Sequence, residues 1–115
     1  MKEEKFKVLQ FIREFIVRAE KELENFPKKD VEIKQRIKNN SYELLEIIYE
    51  ANLTDNIDKK TDLLEKGVAK IKLIDFLINL SYDKELIPQK KYIKLSEKLD
   101  DIVKYISGLL KKSKQ

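Results

Sequence analysis

The chain has 115 residues, of which 40% are charged and 42% hydrophobic, with 25 Lys or Arg against 21 Asp or Glu. It contains no cysteine and no histidine, which excludes disulfides, thiolate metal sites, the usual zinc ligand and the usual general base near neutral pH. We therefore expect a protein that is not an enzyme and that holds no metal and no cofactor.

The length suits one domain, residues 1–115, with a sizeable core. The opening residues, MKEEKFKVLQ, mix acids with bases and are not followed by an uninterrupted apolar run. They indicate neither a signal peptide nor a membrane span, so the sequence predicts a cytoplasmic protein with no membrane partner.

Three breaks divide the chain into helices. In ENFPKKD, Pro27 ends the first helix and Asp30 is the predicted N-cap of the second. The segment NLTDNIDKKTD offers several further caps, and Pro88 suits the first turn of the last helix. The predicted helices cover about residues 3–25, 31–53, 58–84 and 89–112.

Apolar residues recur at 4-3 spacing in the first, second and fourth predicted helices, which indicates one core-facing side on each. These stripes are Val8, Ile12, Phe15, Ala19 and Phe26; Ile33, Ile37, Leu44, Ile47 and Ala51; and Tyr92, Leu95, Leu99, Ile102, Ile106 and Leu109. The third helix differs, because IKLIDFLINL is apolar on more than one side. It predicts a second buried surface, for which Leu73 and Phe76 are the candidate interface residues.

Helices of about 24 residues joined by short connections favour antiparallel neighbours. The predicted fold is therefore all-α, an up-down-up-down antiparallel four-helix bundle. Polar residues near the stripes have structural interpretations. Asn40 fixes register or subunit pairing, Asp75 lies at a helix edge or pairs with a lysine, and Asp100 and Asp101 point into solvent.

Charge is distributed unevenly along the chain. Lys and Arg number 6 against 6 acids in residues 1–25, 5 against 5 in 26–53, 6 against 7 in 54–87, and 8 against 3 in 88–115. The bundle topology brings basic residues together at both ends. The proximal end, as we name it, collects Lys28, Lys29, Lys34, Arg36, Lys38, Lys84, Lys90, Lys91 and Lys94. The distal end collects Lys2, Lys5, Lys7, Lys59, Lys60, Lys111, Lys112 and Lys114, of which the last three are candidate phosphate contacts.

The sequence allows two interpretations of these lysines. In the first, they bind the phosphates of a nucleic acid without reading its sequence. In the second, they only keep a helical protein in solution. Tyr82, Tyr92 and Tyr105 lie among the bases and could stack on unpaired nucleotides, although Tyr92 and Tyr105 fall on or near the apolar stripe, which favours packing for them.

The last forty residues resemble a known family. Leu86, Tyr92, Leu95, Ser96, Leu99, Asp101 and Ile102 follow its pattern at the start of the fourth helix, and Gly108, Leu109 and Leu110 follow it near the end. RIKNNSYELLEIIYEANLT is similar to its second helix. The family is that of Avd, the accessory variability determinant of diversity-generating retroelements. Its terminal stretch often carries two glycines and a tryptophan, where this chain has Ser107, Gly108 and Leu109.

The resemblance implies a homopentameric ring, binding of RNA, and partnership with a reverse transcriptase as a non-catalytic accessory subunit. The candidate interface is then Leu73, Phe76 and Gly108, the glycine admitting a second backbone. Packing of Gly108 within one chain, or a helix end that frays at this glycine, would account for it equally well. The alternative function is a structural or protein-interaction bundle, such as those encoded by intervening sequences, without a nucleic-acid role.

Overall fold

The computed structural model describes the backbone of residues 2–113 and the side chains of residues 6–112. This part of the chain is all-α. Its helices are α1 (Lys2–Glu22), α2 (Val31–Leu53), α3 (Ile57–Asp83) and α4 (Gln89–Ser113), with a 3₁₀ turn at Lys28–Asp30 before α2. α1 ends three residues before its predicted limit, because the N–H groups of Glu24 and Phe26 donate to carbonyls three residues back, which tightens the chain ahead of Pro27.

One of the predicted helix starts is capped differently in the structure. Asp30 occupies the N-cap position of α2, but its side chain makes no capping hydrogen bond. It accepts instead from Nζ of Lys84 at 2.8 Å, so the prediction that Asp30 caps α2 is wrong. In α3 the cap is Asn56, whose side chain accepts from the N–H of Lys59 at 3.0 Å. α4 begins directly after Pro88, as predicted.

Each helix packs against two neighbours, in the order α1, α2, α3, α4 and back to α1. Phe11 in the middle of α1 lies 4.9 Å, between ring centroids, from Tyr105 in the second half of α4. Tyr82 at the end of α3 lies 4.8 Å from Tyr92 at the start of α4. These pairs fit antiparallel packing, and the Cα trace measures 45 × 21 × 19 Å. The predicted four-helix bundle therefore fits the packing of the chain.

The core is built by the predicted stripes. Val8, Ile12 and Phe15 of α1 are fully buried, as are Ile102 and Ile106 of α4. In α2, Ile48 is fully buried, while the predicted Ile47 is only half-buried. Each such apolar side chain contributes about 1.5 to 3 kcal/mol on leaving water, so the core supplies the main favourable term in folding.

α3 has an inner and an outer apolar side. Ile71, Ile74 and Ile78 are buried against the core. Leu73 and Phe76 point outward and keep 42% and 60% of their surface accessible. Ala69 and Leu80 complete a 4-3-4 spacing with them. We call Ala69, Leu73, Phe76 and Leu80 the α3 outer stripe. The predicted second apolar side exists, and no other part of the described chain covers it.

The turn between α3 and α4 holds a non-glycine residue in the left-handed region. Glu85 has a φ of 60°. The N–H of Leu86 donates to the carbonyl of Ser81 at 2.8 Å, and that of Glu85 to Tyr82 at 2.9 Å. This is the pattern of a helix C-cap, where glycine is usual because it lacks Cβ.

Replacing Glu85 by glycine is therefore expected to stabilise the fold. Relief of the Cβ clash is worth about 1 to 2 kcal/mol, and the greater freedom of glycine in the unfolded chain removes part of it, leaving about 0.5 to 1 kcal/mol. Urea denaturation measures the difference. Glu85→Ala is the matched control, since it removes the charge and keeps the Cβ. Equal stabilisation by both variants would contradict the backbone explanation.

Candidate nucleic-acid interface

Two contacts join the helix ends at the proximal end of the bundle. Nζ of Lys84, just past α3, lies 2.8 Å from Oδ1 of Asp30 at the start of α2. Nζ of Lys91 in α4 donates to the carbonyl of Glu22 at the end of α1, at 3.2 Å. The end of α1 is thus linked to the start of α4, and the turn after α3 to the start of α2. This geometry brings the turns after α1 and α3 to the same end of the bundle as the starts of α2 and α4.

The cations of the proximal end differ in availability. Arg36 pairs with Glu32 one turn earlier, at 3.2 Å, and Nζ of Lys91 lies 3.9 Å from the Glu22 carboxylate. Lys34 and Lys94 are half-buried. The exposed cations for which no ion pair is found among the described residues are Lys28, Lys29, Lys38 and Lys90. A phosphate would compete least with existing contacts at these four.

Two lysines of the proximal end flank a cleft between α1 and α2. The cleft has a volume of about 220 Å³, and Lys34 and Lys38 stand at its rim. Its floor is apolar, with Ile16, Ala19 and Leu23 from α1 and Ile37 from α2. Arg36 lies on the other side of α2, the side of Asn40, which contacts α3. The predicted basic residues of α2 therefore divide between two faces.

At the distal end, Lys111 and Lys112 are exposed in the last turn of α4. Lys114 lies outside the described residues. The sequence placed the three together as candidate phosphate contacts, and that assignment stays a prediction.

The tyrosine side chains that lie among the basic residues pack against one another or against the core. Tyr82 and Tyr92 stack with an angle of 7° between their rings, and the Tyr92 hydroxyl donates to Oδ1 of Asn79 at 2.6 Å. Tyr105 packs on Phe11. These contacts agree with packing, the interpretation that the sequence favours for Tyr92 and Tyr105, and Tyr82 joins them. In α2, Tyr42 is exposed and donates to Glu20 at 2.9 Å, which raises the pKa of the phenol.

A polar bridge joins α2 to α3. Nζ of Lys70 donates to Oδ1 of Asn40 at 2.9 Å and pairs with the carboxylate of Glu43. Nδ2 of Asn40 donates to the carbonyl of Arg36 at 2.7 Å. The sequence identified Asn40 as a register-fixing residue but did not identify Lys70 as its partner, because the pairing depends on how the two helices align.

Asp75 lies in the seam between α3 and α4. Burial is the main cause that raises its pKa above the ordinary value of 3.8, and repulsion from Asp100 adds to it, while Lys72 and a hydrogen bond from Asn79 act in the opposite direction. Within the described part of the chain, no group of three or more carboxylates is arranged to hold a metal ion.

Asp75→Asn is expected to stabilise the fold at neutral pH. A carboxyl whose pKa is raised on folding favours the folded state only while it is protonated, so its ionisation above about pH 3.8 lowers stability. The neutral amide avoids this loss. Because the site is largely solvated, we expect a rise in Tm of about 1 to 2 °C at pH 7 that vanishes below about pH 3.5.

Thermal melts across this pH range, with Asp101→Asn as the control, test the expectation. Asp101 is exposed, so the control makes the same charge change on a solvated face. A gain that persists at pH 3 would show that the amide acts by another route.

The two glycines have opposite surroundings. A Cβ on Gly108 would meet no atom within 4 Å, and Gly108 lies beside Tyr105 and Leu109 in a shallow depression on the surface of α4. Packing within one chain therefore does not explain it. Gly67 is buried in α3, and a Cβ there would lie 3.2 Å from Cδ1 of Ile48 in α2. Within the chain, close packing at a glycine therefore occurs at Gly67, where the neighbours are side-chain methyl groups and not a second backbone.

Fold and surface together define a small all-α bundle with lysine-rich ends and an uncovered apolar stripe. The family model described as bAvd-like matches residues 4–113. The chain belongs to this bAvd-like family, and the resemblance noted from its last helix is confirmed. The comparison with curated proteins yields no match.

The family is one of accessory, non-catalytic proteins, and membership suggests the accessory role in a diversity-generating retroelement. It also suggests an oligomer associated with a reverse transcriptase. Among the described residues, no helix combines the length and the apolar character that a bilayer span requires.

Proposed function

We propose that this chain is a non-catalytic RNA-binding subunit that partners a reverse transcriptase in retroelement-driven sequence diversification. The observation that carries the proposal is the family match over residues 4–113, which takes in all four helices. Supporting it are the exposed lysines of the proximal end, which suit phosphates and offer no base-specific contacts.

The protein acts by positioning RNA and not by catalysing a reaction. A homo-oligomer, a pentamer by the family resemblance, repeats the basic ends around a ring and holds structured RNA beside the polymerase, which raises the local concentration of template. The α3 outer stripe and Gly108 supply contacts between copies. Contiguous exposed apolar residues at helical spacing are the surface that such packing needs, and Gly108 leaves room for a neighbouring backbone.

The test is the salt dependence of RNA binding. Log K falls with log salt by about 0.7 to 0.9 per phosphate neutralised, so a site with about six contacts weakens roughly 1,000-fold between 50 and 200 mM salt. Fluorescence anisotropy with a labelled hairpin RNA measures this slope. Replacing Lys28, Lys29, Lys38 and Lys90 by glutamine is expected to reduce the slope by about 3, and Lys111→Gln with Lys112→Gln reports the distal end.

Far-UV circular dichroism and light scattering serve as controls, since exposed lysines contribute little to the fold. If the wild-type protein binds no structured RNA at about 50 mM salt, the nucleic-acid role is wrong and the protein-interaction bundle replaces it. A reverse-transcriptase gene beside this one would favour the proposal over that alternative.

A further inference from the structure

A second basic surface lies along the waist of the bundle, between α1 and α4. It is a shallow depression of about 480 Å³. Its cations are Arg13, Arg18 and Lys21 from α1 and Lys98 from α4, and exposed Val17 lies among them. We call it the α1–α4 groove. None of these four cations belongs to the basic ends that the sequence predicts.

The groove carries an excess of positive charge. Glu14 is the one carboxylate among its lining residues, and it accepts a hydrogen bond from Gln10 at 3.4 Å. Arg18 pairs with Glu22 at 3.6 Å. No ion pair is found within the described chain for Arg13, Lys21 or Lys98. Three cations are therefore available to an external anion.

The charge count of the first helix hides this surface. Residues 1–25 contain six bases and six acids, which suggests neutrality. Glu20, however, accepts from Tyr42 of α2, and the Glu22 carboxylate lies near both Arg18 and Lys91. Arg13 and Lys21 have no ion pair among the described residues, so the count over the segment hides their charge.

The shape and the residue types favour a polyanion. An enclosed pocket suits a small ligand, whereas this groove is open and long. Arg13 and Lys21 lie two turns apart, about 12 Å along α1, over which one strand of a duplex presents about three phosphates. Two of the three arginines of the chain lie here, and the guanidinium fork matches a phosphate with two hydrogen bonds.

The groove is also continuous with the proximal end. Lys91, Lys94 and Lys98 are spaced 3 and 4 residues apart, which places them on one side of α4. Lys91 contacts α1, so this side faces the groove. A line of lysines therefore runs from the proximal end into the waist.

We propose that the α1–α4 groove is a phosphate-binding surface along which a nucleic-acid backbone lies, parallel to the long axis of the bundle. The inference rests on the proposed function, from which it takes RNA as the ligand. It adds a binding surface on the side of the bundle to those at its ends. Each protomer then contacts the RNA along its side as well as at its end.

The test compares two variants with the same change in net charge. The groove variant is Arg13→Gln, Lys21→Gln and Lys98→Gln, and the control is Lys66→Gln, Lys72→Gln and Lys104→Gln, three exposed lysines outside the groove and outside both basic ends. We expect the groove variant to lower the salt slope for hairpin RNA by about 2 to 3, and the control by less than about 1. Equal slopes for the two variants would overturn the groove while leaving RNA binding in place.

A second probe separates the groove from the function. Sodium tripolyphosphate is titrated into ¹⁵N-labelled protein, and shifts of the Arg13 and Lys21 amide signals in the wild type are expected to be lost on Lys98→Gln and Arg18→Gln substitution. If these shifts occur but the wild type binds no RNA at about 50 mM salt, the RNA role fails and an anion site remains. Absence of both signals overturns both proposals.

Discussion

Replacing Leu73 and Phe76 together by serine is expected to dissociate the assembly of this protein into single, folded chains. Truncating a central apolar anchor of an interface typically costs 2 kcal/mol or more, so the double change weakens association by about 1,000-fold. Light scattering after size exclusion, at tens of micromolar protein, measures the mass. Helicity is expected to stay the same, because both side chains lie outside the core of the single chain.

Ile93→Ser is the matched control for this prediction. Ile93 is 43% exposed, close to the 42% of Leu73, but it belongs to α4 and not to the α3 outer stripe. We expect it to leave the mass unchanged. A wild-type protein that is a strict monomer, or a double variant with wild-type mass, would remove the α3 outer stripe from the interface.

Replacing Gly67 by leucine is expected to destabilise the fold by about 2 to 3 kcal/mol, with a fall in Tm of about 8 °C or more. The Cβ alone would lie 3.2 Å from Cδ1 of Ile48, 3.7 Å from Cδ1 of Leu44 and 3.8 Å from Cδ1 of Ile106. A branched side chain has no room among these methyl groups. Gly67→Ala tests how large a side chain this position accepts. Alanine favours the helix by about 1 kcal/mol over glycine, and this gain offsets the cost of a small movement of the Ile48 methyl.

Gly108→Leu is the matched control, because its Cβ meets no atom of the same chain within 4 Å. In urea denaturation the single chain is expected to gain up to about 1 kcal/mol. If Gly108 lies in the contact between copies, the same change lowers the mass seen by light scattering. A variant that melts higher and keeps its assembly would exclude Gly108 from the interface, and a Gly67→Leu protein as stable as the wild type would contradict the packing of α2 on α3.

Local patterns in the sequence account for most of the fold. The stripes of Val8 to Ala19 and Leu95 to Leu109 predict their buried sides because helical spacing alone decides which residues share a face. Contacts between helices are less predictable. Asp30 has the residue type of an N-cap, yet Lys84, 54 residues away, holds its carboxylate. Nothing in the sequence distinguishes Gly67, because the nearness of Ile48 depends on how α2 and α3 align.

The basic surface at the proximal end was predictable in outline, because it follows from helix topology and from local spacing. Antiparallel topology brings lysines from different helices to the proximal end, and the pairing of Arg36 with Glu32 follows from their separation of four residues. The α1–α4 groove was missed, because a count over a segment adds charges from all sides of a helix. Plotting the charges of α1 by direction would have separated Arg18 and Lys21 from Glu20.

The circular order of the helices has a consequence for folding. Three of the four seams join helices that follow one another in the chain, while the seam between α1 and α4 joins the most distant pair. Closing that seam costs the most chain entropy, so we expect it to form last and to open first. The ring contact between Phe11 and Tyr105 lies in that seam, so the surroundings of the Tyr105 ring change when the seam opens.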